Sequence, residues 1–402
     1  MSPLEWTDET LAAALARTSS FVQEEIDSLE SLKAADVEGG EELARTFAEP
    51  LPEAPTGLAD LLARLRPAIR RTFTTPGPGY LAFIPGGGLM SAAIADFIAA
   101  STNRYVGVRP PSPALAQIEE TAIRWLADLM GYPKEAGGIL TSGGSLSTLS
   151  AIVAARETRL PEDFRKGTIY FSTETHYCIP KAARIAGFKD RQIRRIPVDA
   201  RRRIDVSALA RAIDEDRAQG LSPFLIVANV GTTNTGAIDD IPGLLEIGRA
   251  HGLWIHADAA YGGFFRLAAS GPSLMPRLEE CDSITLDPHK GMFLPYGTGC
   301  LLVKDPQALA RAHAMDAEYL HDVRAQASFN FSDLSPELSR DFRGLRIWLP
   351  LMAHGAPAFR EAIEEKLRLT RFAYDALQAD ERFELLDEPQ LSVIALRLRG
   401  RE

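Results

Sequence analysis

The amino-acid sequence predicts an α/β protein built on a mostly parallel sheet of about seven strands covered by helices. Short apolar runs rich in β-branched residues recur between residues 137 and 303, as buried strands require. Segments with helical patterns lie between most of these runs, and two of them end in glycine. Because parallel strands need a crossover connection, usually a helix, this alternation favours a parallel sheet.

The elements divide the 402 residues into three predicted regions. Residues 1–88 are an N-terminal helical segment, with helical pieces between 10 and 70 and a Pro- and Gly-dense stretch at 74–88. Residues 89–315 form the large domain, and residues 316–402 hold a catalytic loop and a small C-terminal α/β domain. The strands of the large domain are expected at 137–140, 168–172, 192–198, 224–230 and 253–259, and two more are expected on either side of Lys290 within 283–303. Helices of this domain are expected at 206–220 and 241–252.

Composition excludes several classes of protein. The formal net charge of −10 argues against a nucleic-acid partner, which needs a basic surface, and the basic run 191–203 is interpreted as a solvated face. The N-terminus does not have the pattern of a signal peptide, and no apolar run is long enough to span a membrane. Three widely spaced cysteines suit packing in a reducing cytoplasm and provide no metal framework.

Residues at four strand ends suggest chemistry. Lys290 is either a surface lysine or a buried amine kept for reaction, and Asp258 is either a helix cap or the partner of a cation. Gly144 and Ser145 open a helix, either as a tight cap or as an anion cradle, and His176 is either structural or a flat stacking group. Pyridoxal 5'-phosphate (PLP) needs such a set: a lysine, an acid, an anion cradle and a flat neighbour.

The sequence resembles the group II PLP decarboxylases, a fold-type I family that includes aromatic amino acid, histidine, glutamate and cysteine-sulfinate decarboxylases. The resemblance runs from about Tyr80 to Met352 and is most specific in "HADAAYGG" (256–263) and "DPHKG" (287–291). It implies the fold-type I PLP-dependent transferase fold, PLP as cofactor, and decarboxylation of an L-amino acid to an amine and CO2. It also implies a homodimer in which the 293–299 loop of one subunit covers the phosphate of the other.

The resemblance assigns roles to the cofactor residues. Lys290 would hold PLP covalently, Asp258 would pair with its pyridine nitrogen, and the ring would lie between Ala260 and His176. The remaining cofactor residues would surround the phosphate or its neighbourhood: Gly144, Ser145, Thr233, Asp287 and His289. Asp287 stands where the family often has asparagine, and two anions repel unless one is protonated.

The resemblance also implies a substrate pocket lined by Phe83, Ile84, Pro85 and Val108, which favours an aromatic or apolar amino acid. Arg109 has three interpretations: it meets the substrate α-carboxylate, accepts an acidic side chain, or points to solvent.

The catalytic loop departs from the family pattern, which has a tyrosine that protonates the substrate carbon after CO2 leaves. Here the position falls on Phe331, or on Leu334 after a short shift. Relatives with phenylalanine there make aldehydes by oxidative deamination coupled to decarboxylation. The favoured interpretation is a simple decarboxylase in which His321 or water supplies the proton to the substrate carbon.

Further alternatives stay open. Another fold-type I enzyme, such as an aminotransferase or a cysteine desulfurase, would share the lysine and the aspartate. A desulfurase needs a mobile cysteine after the lysine, whereas Cys300 falls in a predicted strand. A non-catalytic PLP-binding protein would keep the fold without the reaction. The chain stops in what reads as the first strand of the C-terminal domain, so it is either naturally short or truncated.

Overall fold

The computed structural model describes residues 4–84, 87–315 and 330–400. The chain forms two compact units, residues 1–87 and residues 88–402.

The first unit is helical. Its helices are α1 (Asp8–Ser28), α2 (Gly40–Arg45) and α3 (Leu58–Arg70). Ion pairs join α1 to α3, with Arg70 Nε 3.0 Å from Glu25 Oε2. Both helices nevertheless leave apolar side chains exposed at helical spacing, and these are Leu11, Leu15, Val22 and Ile26 on α1 and Leu61, Leu65 and Ile69 on α3. This unit therefore keeps apolar stripes that its own residues do not cover.

The second unit contains the large sheet and the helices that cover it. Its helices are α4 (Met90–Thr102), α5 (Pro113–Leu129), α6 (Gly144–Arg159), α7 (Cys178–Ile185), α8 (Val206–Ala218), α9 (Ile241–His251), α10 (Gly271–Leu274), α11 (Pro288–Gly291), α12 (Gln307–His313) and α13 (Gly344–Gln378). The long helix α13 is interrupted at Gly355, where φ is 74°.

Within the described residues, seven strands form one sheet. They are β1 (Gly137–Thr141), β2 (Gly167–Ser172), β3 (Ile193–Ile196), β4 (Ser222–Asn229), β5 (Trp254–Asp258), β6 (Ser283–Leu286) and β7 (Gly299–Val303). Their order is β1-β7-β6-β5-β4-β2-β3, and β7 runs antiparallel to both of its neighbours. The predicted mostly parallel sheet of seven strands is confirmed.

The helices on the sheet begin and end as local chemistry predicts. Asp205 caps α8 by accepting a hydrogen bond from Ala208 N at 2.9 Å, and Asp240 caps α9. Helix α9 ends at Gly252 with φ 68°, a left-handed conformation that glycine adopts without strain. Beyond α13, a separate two-stranded sheet forms from β8 (Phe383–Leu385) and β9 (Leu396–Leu398).

All three cysteines are free and buried, which confirms the packing role expected of them. None of the helices in the described part of the chain combines the length and the apolarity needed to cross a bilayer.

A fully buried ion pair ties the segment after residue 330 to the sheet. Glu119 on α5 and Arg340 have no exposed side-chain surface, and Arg340 Nη1 lies 2.6 Å from Glu119 Oε1. Glu119 Oε2 accepts the N–H of Gly344 at 3.1 Å, and Arg340 Nη2 donates to the carbonyl of Leu140 at 3.0 Å. This pair thus connects the start of α13 with the end of β1.

Removing one partner of this pair is expected to be costly. Glu119→Ala leaves the Arg340 charge buried without its partner, so we expect a loss of about 3–5 kcal/mol in the free energy of unfolding. Chemical denaturation at fixed protein concentration measures it. Glu120→Ala is the matched control, because its pair with Arg109 is exposed and should contribute under about 1 kcal/mol. Equal losses of unfolding free energy in the two variants would show that the buried Glu119–Arg340 pair contributes no more than the exposed one.

Candidate active site

The carboxyl ends of the parallel strands meet at one edge of the sheet, and a cavity of about 290 Å³ lies there. The sequence-predicted cofactor residues come together in its lining: Gly144, Ser145, His176, Thr233, Asp258, Ala260, Asp287, His289 and Lys290. The chain segments that carry them are far apart in sequence, so the alignment of the strand ends creates the site.

Lys290 is an interior amine. It lies on α11, directly after β6, with its Nζ 2.9 Å from Asp287 Oδ2 and 23% of its side chain exposed. Burial alone would lower the pKa of Lys290, but the charge and hydrogen bond of Asp287, with a smaller effect of Asp258, raise it above its ordinary value. Lys290 is therefore held as an ammonium group that points into the cavity, not as a surface lysine.

His289 and Asp287 form the floor beside this lysine. His289 Nδ1 lies 2.5 Å from the carbonyl oxygen of Thr298, and its Nε2 is 3.7 Å from Asp287 Oδ2. Burial lowers the pKa of His289, although the Asp287 charge opposes this effect. Asp287 Oδ1 is buried and has no hydrogen-bond partner among the described residues. An unsatisfied buried carboxylate oxygen indicates a polar group that belongs in the cavity.

The turn before α6 forms a cradle that only glycine permits. Gly143 has φ 152°, and a Cβ on Gly144 would lie 3.0 Å from Asp287 Oδ2 and 3.4 Å from the Ala260 Cβ. The first N–H groups of α6 have no acceptor within the helix, and the helix dipole adds partial positive charge at this end. The cradle suits an anion such as a phosphate group.

Asp258 ends β5, and a buried histidine lies behind it. The Oδ1 atom of Asp258 accepts the N–H of Ala260 at 3.2 Å. His256, two residues earlier on the same face of the strand, contacts Ser283 Oγ at 2.8 Å and Thr285 Oγ1 at 3.3 Å. Burial lowers the pKa of His256 to about 4, against the opposing charge of Asp258. His256 is therefore neutral near pH 7, and it contacts the neighbouring strand β6 directly below the acid.

His176 and Thr233 lie at the rim of the cavity. The Nδ1 atom of His176 accepts the N–H of Cys178 at 3.3 Å, which fixes the ring, and the ring centre lies 4.3 Å from that of Tyr177. Burial lowers the pKa of His176, with Asp258 acting in the opposite direction. Thr233 is exposed on the loop after β4.

Sequence reasoning missed part of the cavity wall, namely Ser142, Gly143, Leu146, Cys178, Asn229, Gly231, Thr232 and Tyr261. Asn229 closes β4 and donates from Nδ2 to Thr175 Oγ1 at 3.0 Å and to Asp239 Oδ2 at 2.8 Å. A polar residue at the end of an apolar strand was the available signal for it. Tyr261 gave no such signal, because its hydroxyl is held by Ser392, 131 residues away.

Two of the predicted substrate and loop residues, Val108 and Phe331, form a different group. Val108 is fully buried, and Phe331 is buried with the Arg340 guanidinium 5.2 Å from its ring centre. Hydrogen bonds join their segments, since Ser332 N donates to Gly107 O at 2.9 Å and Arg109 N donates to Asn330 Oδ1 at 3.1 Å. The lining of the cavity within the described residues includes neither Val108, Arg109 nor Phe331.

Arg109 lies beside α5 and pairs with residues of that helix. Its guanidinium contacts Glu120 Oε2 and Gln117 Oε1, both at 2.7 Å, at a half-exposed site on α5. In the N-terminal unit, Phe83 is 81% exposed and Ile84 is partly exposed. Pro85 and His321 lie outside the described residues.

The cavity meets the chemical requirements of PLP. It offers an amine at Lys290, a carboxylate at Asp258, a phosphate cradle at Gly144 and a flat ring at His176. These features define the class of fold-type I PLP enzymes.

Comparison with known proteins identifies the family. Residues 41–399 match the family described as "Pyridoxal-dependent decarboxylase conserved domain", and the chain belongs to that family. It is a PLP-dependent amino acid decarboxylase.

Relatives support this assignment. An aromatic-L-amino-acid decarboxylase from Bacillus atrophaeus is 35% identical over 378 residues, covering 92% of this chain and 79% of the relative. A phenylacetaldehyde synthase from Petunia hybrida is 28% identical, covering 89% of this chain and 73% of the relative. The crystal structure of Oryza sativa TDC with PLP and tryptamine has a TM-score of 0.93 and 26% identity, covering 99% of this chain and 85% of that one. The expected fold-type I architecture and cofactor are confirmed.

Stability should depend on pH through His256. An unfolded histidine titrates at about 6.5, so between about pH 6.5 and 4 the unfolded chain binds a proton that the folded chain does not. The stability present above pH 6.5 should therefore be lost as pH falls toward 4, by up to roughly 3 kcal/mol. His256→Gln removes this titration, so its stability difference from wild type should shrink over that range in denaturant titrations. A difference that does not change with pH would contradict the assignment.

Proposed function

We propose that the enzyme decarboxylates an aromatic or apolar L-amino acid to its amine, with PLP bound covalently to Lys290. The observation that carries the site assignment is the arrangement of Lys290 and Asp258 at adjacent strand ends, facing one cavity with the Gly144 cradle. The substrate class is supported by the aromatic decarboxylase relative and by the tryptamine in the rice structure.

Each residue then has a defined task. When bound, PLP supplies an electron sink for the pair left behind as CO2 departs. Asp258 would keep the pyridine nitrogen protonated through a charge-assisted hydrogen bond, so that the ring could accept the electron pair. His176 and Ala260 would confine the ring between them, and the N–H groups at the start of α6 would hold the phosphate. Lys290 would supply the amine that binds the cofactor and gives way to the amine of the substrate.

The aldehyde alternative remains a second candidate because of Phe331. A phenylalanine side chain has no proton to donate, and one of the relatives is a phenylacetaldehyde synthase. Most of the named relatives are decarboxylases, which favours the amine as product. A desulfurase is disfavoured, because Cys300 lies fully buried in β7, where burial raises the pKa of its thiol.

We further propose a homodimer whose active site uses both subunits. The cofactor residues line a cavity in one chain, and the family resemblance implies that the 293–299 loop of a second copy covers the phosphate there. The exposed apolar stripes on α1 and α3 provide surface for such an interface.

We place the enzyme in the cytoplasm, because its three cysteines are free thiols, as expected for a reducing compartment.

Borohydride reduction should fix the cofactor on Lys290. Because Lys290 is the amine in the cavity, peptide mapping of the reduced protein should find the pyridoxyl group on the peptide that contains it. Lys290→Arg should give no adduct, whereas the control Lys181→Arg, on α7, should keep it. An adduct on another lysine of the wild-type protein would overturn the assignment.

The product will distinguish the two candidate reactions. With a panel of aromatic and acidic L-amino acids, we expect CO2 and amine in equal amounts with little hydrogen peroxide, and aromatic substrates preferred. Aldehyde with an equal amount of peroxide would support the alternative. In that case Phe331→Tyr should shift the product toward amine, while the control Phe342→Tyr should not.

Dimerisation should depend on the α3 stripe. Leu65→Glu places a charge in the stripe, so at a concentration where wild type sediments as a dimer the variant should sediment as a monomer and lose activity. Ala63→Glu lies on the opposite side of α3 and is the control. A wild-type monomer with full activity, shown by sedimentation alongside kinetics, would rule out the dimer.

A further inference from the structure

Asp287 is a buried carboxylate in which only one of the two oxygens has a partner among the residues that the structure describes, and this combination is energetically costly. Only 3% of its side chain is exposed, and its Oδ2 pairs with Lys290 Nζ at 2.9 Å. Its Oδ1 is buried and has no hydrogen-bond partner in the part of the chain that the structure describes. The carboxylate thus relies on Lys290 for its compensation.

Asp287 also faces the cradle at the start of α6. Its Oδ2 and Oδ1 lie 3.0 and 3.4 Å from the position of a Cβ on Gly144. An anion bound by the first N–H groups of α6 would therefore lie beside this carboxylate. Two negative charges in a buried site repel strongly, and sharing a proton relieves the repulsion.

Among the groups around Asp287, Lys290 is the cation that lies beside the carboxylate. The titratable neighbours are Lys290, His289, His176, Cys178, Cys300 and Asp258. Burial lowers the pKa values of both histidines, so neither supplies a charge near neutral pH. The charge of Arg346 also acts on His289, and Arg346 pairs with Asp96. When Lys290 becomes covalently engaged, Asp287 loses the charge that offset its own.

We propose that Asp287 is ionised while Lys290 is free and becomes a neutral carboxyl when Lys290 binds the cofactor, donating its O–H to the phosphate at the start of α6. This inference rests on the function proposed above. The Lys290 ammonium passes one proton to Asp287 Oδ2. The two hydrogens that remain on the Lys290 nitrogen leave with the aldehyde oxygen as water when that nitrogen forms its double bond to the aldehyde carbon. The step is balanced and needs no other reactant.

Infrared difference spectroscopy tests this directly. The spectrum of the PLP-loaded protein minus that of the PLP-free protein should show a protonated carboxyl C=O band that shifts in D2O. Labelling with 13C-carboxyl aspartate should move the band, which assigns it to an aspartate. Pyridoxal, which lacks the phosphate, should load Lys290 and give the band at a higher frequency, because the carboxyl O–H then has no phosphate to bind.

Variants assign the band to one residue. Asp287→Asn should bind PLP without the band, whereas His289→Gln and the surface control Asp190→Asn should retain it. If Asp287→Asn does not bind PLP, the comparison of PLP with pyridoxal in the wild type decides. No band in wild type, a band at the same frequency with pyridoxal as with PLP, or a band in Asp287→Asn would overturn the inference. Failure of wild type to form a visible absorption band with PLP would instead count against the proposed function.

Discussion

Hydrogen bonding between parallel strands is the constraint on which this protein depends. The register places Asn229 of β4 opposite Asp258 of β5, and Asp258 opposite Thr285 of β6. Because parallel strands all end at the same edge, the residues that follow them converge without any long-range side-chain contact. Lys290 reaches the cavity because α11 begins two residues after β6 ends. A shift of one residue in any of these pairings would turn the polar side chains to the opposite face of the sheet.

The cavity is polarised by this arrangement. Asp258 and Asp287 place negative charge on either side of Lys290, while the first turn of α6 offers N–H groups to an anion. His256 and His289 are kept neutral by burial, so they shape the cavity without adding charge. Positive and negative features therefore lie next to each other in a small space, and they would orient a zwitterionic cofactor.

Much of the fold could be predicted from the sequence, because most strands of the sheet are short apolar runs next to a Gly or Pro signal. Strand β3 is shorter than predicted, 193–196 against 192–198, and Pro197 follows its last residue. The cofactor residues could be found because they lie directly at strand ends. The pair of Arg109 with Glu120 could not, since it depends on how the turn before α5 folds back on that helix. The burial of Phe331 against Arg340 depends likewise on a contact with α5 through Glu119, which no local pattern encodes.

Strand β3 forms one border of the sheet, next to β2. Its middle residues are Arg194 and Arg195, and Arg194 is fixed by two hydrogen bonds to Asp216 on α8. An open strand border presents unpaired N–H and C=O groups that can recruit a strand from another molecule. Adjacent arginines at this border repel the same border of a second molecule, so the sheet resists growing into an aggregate.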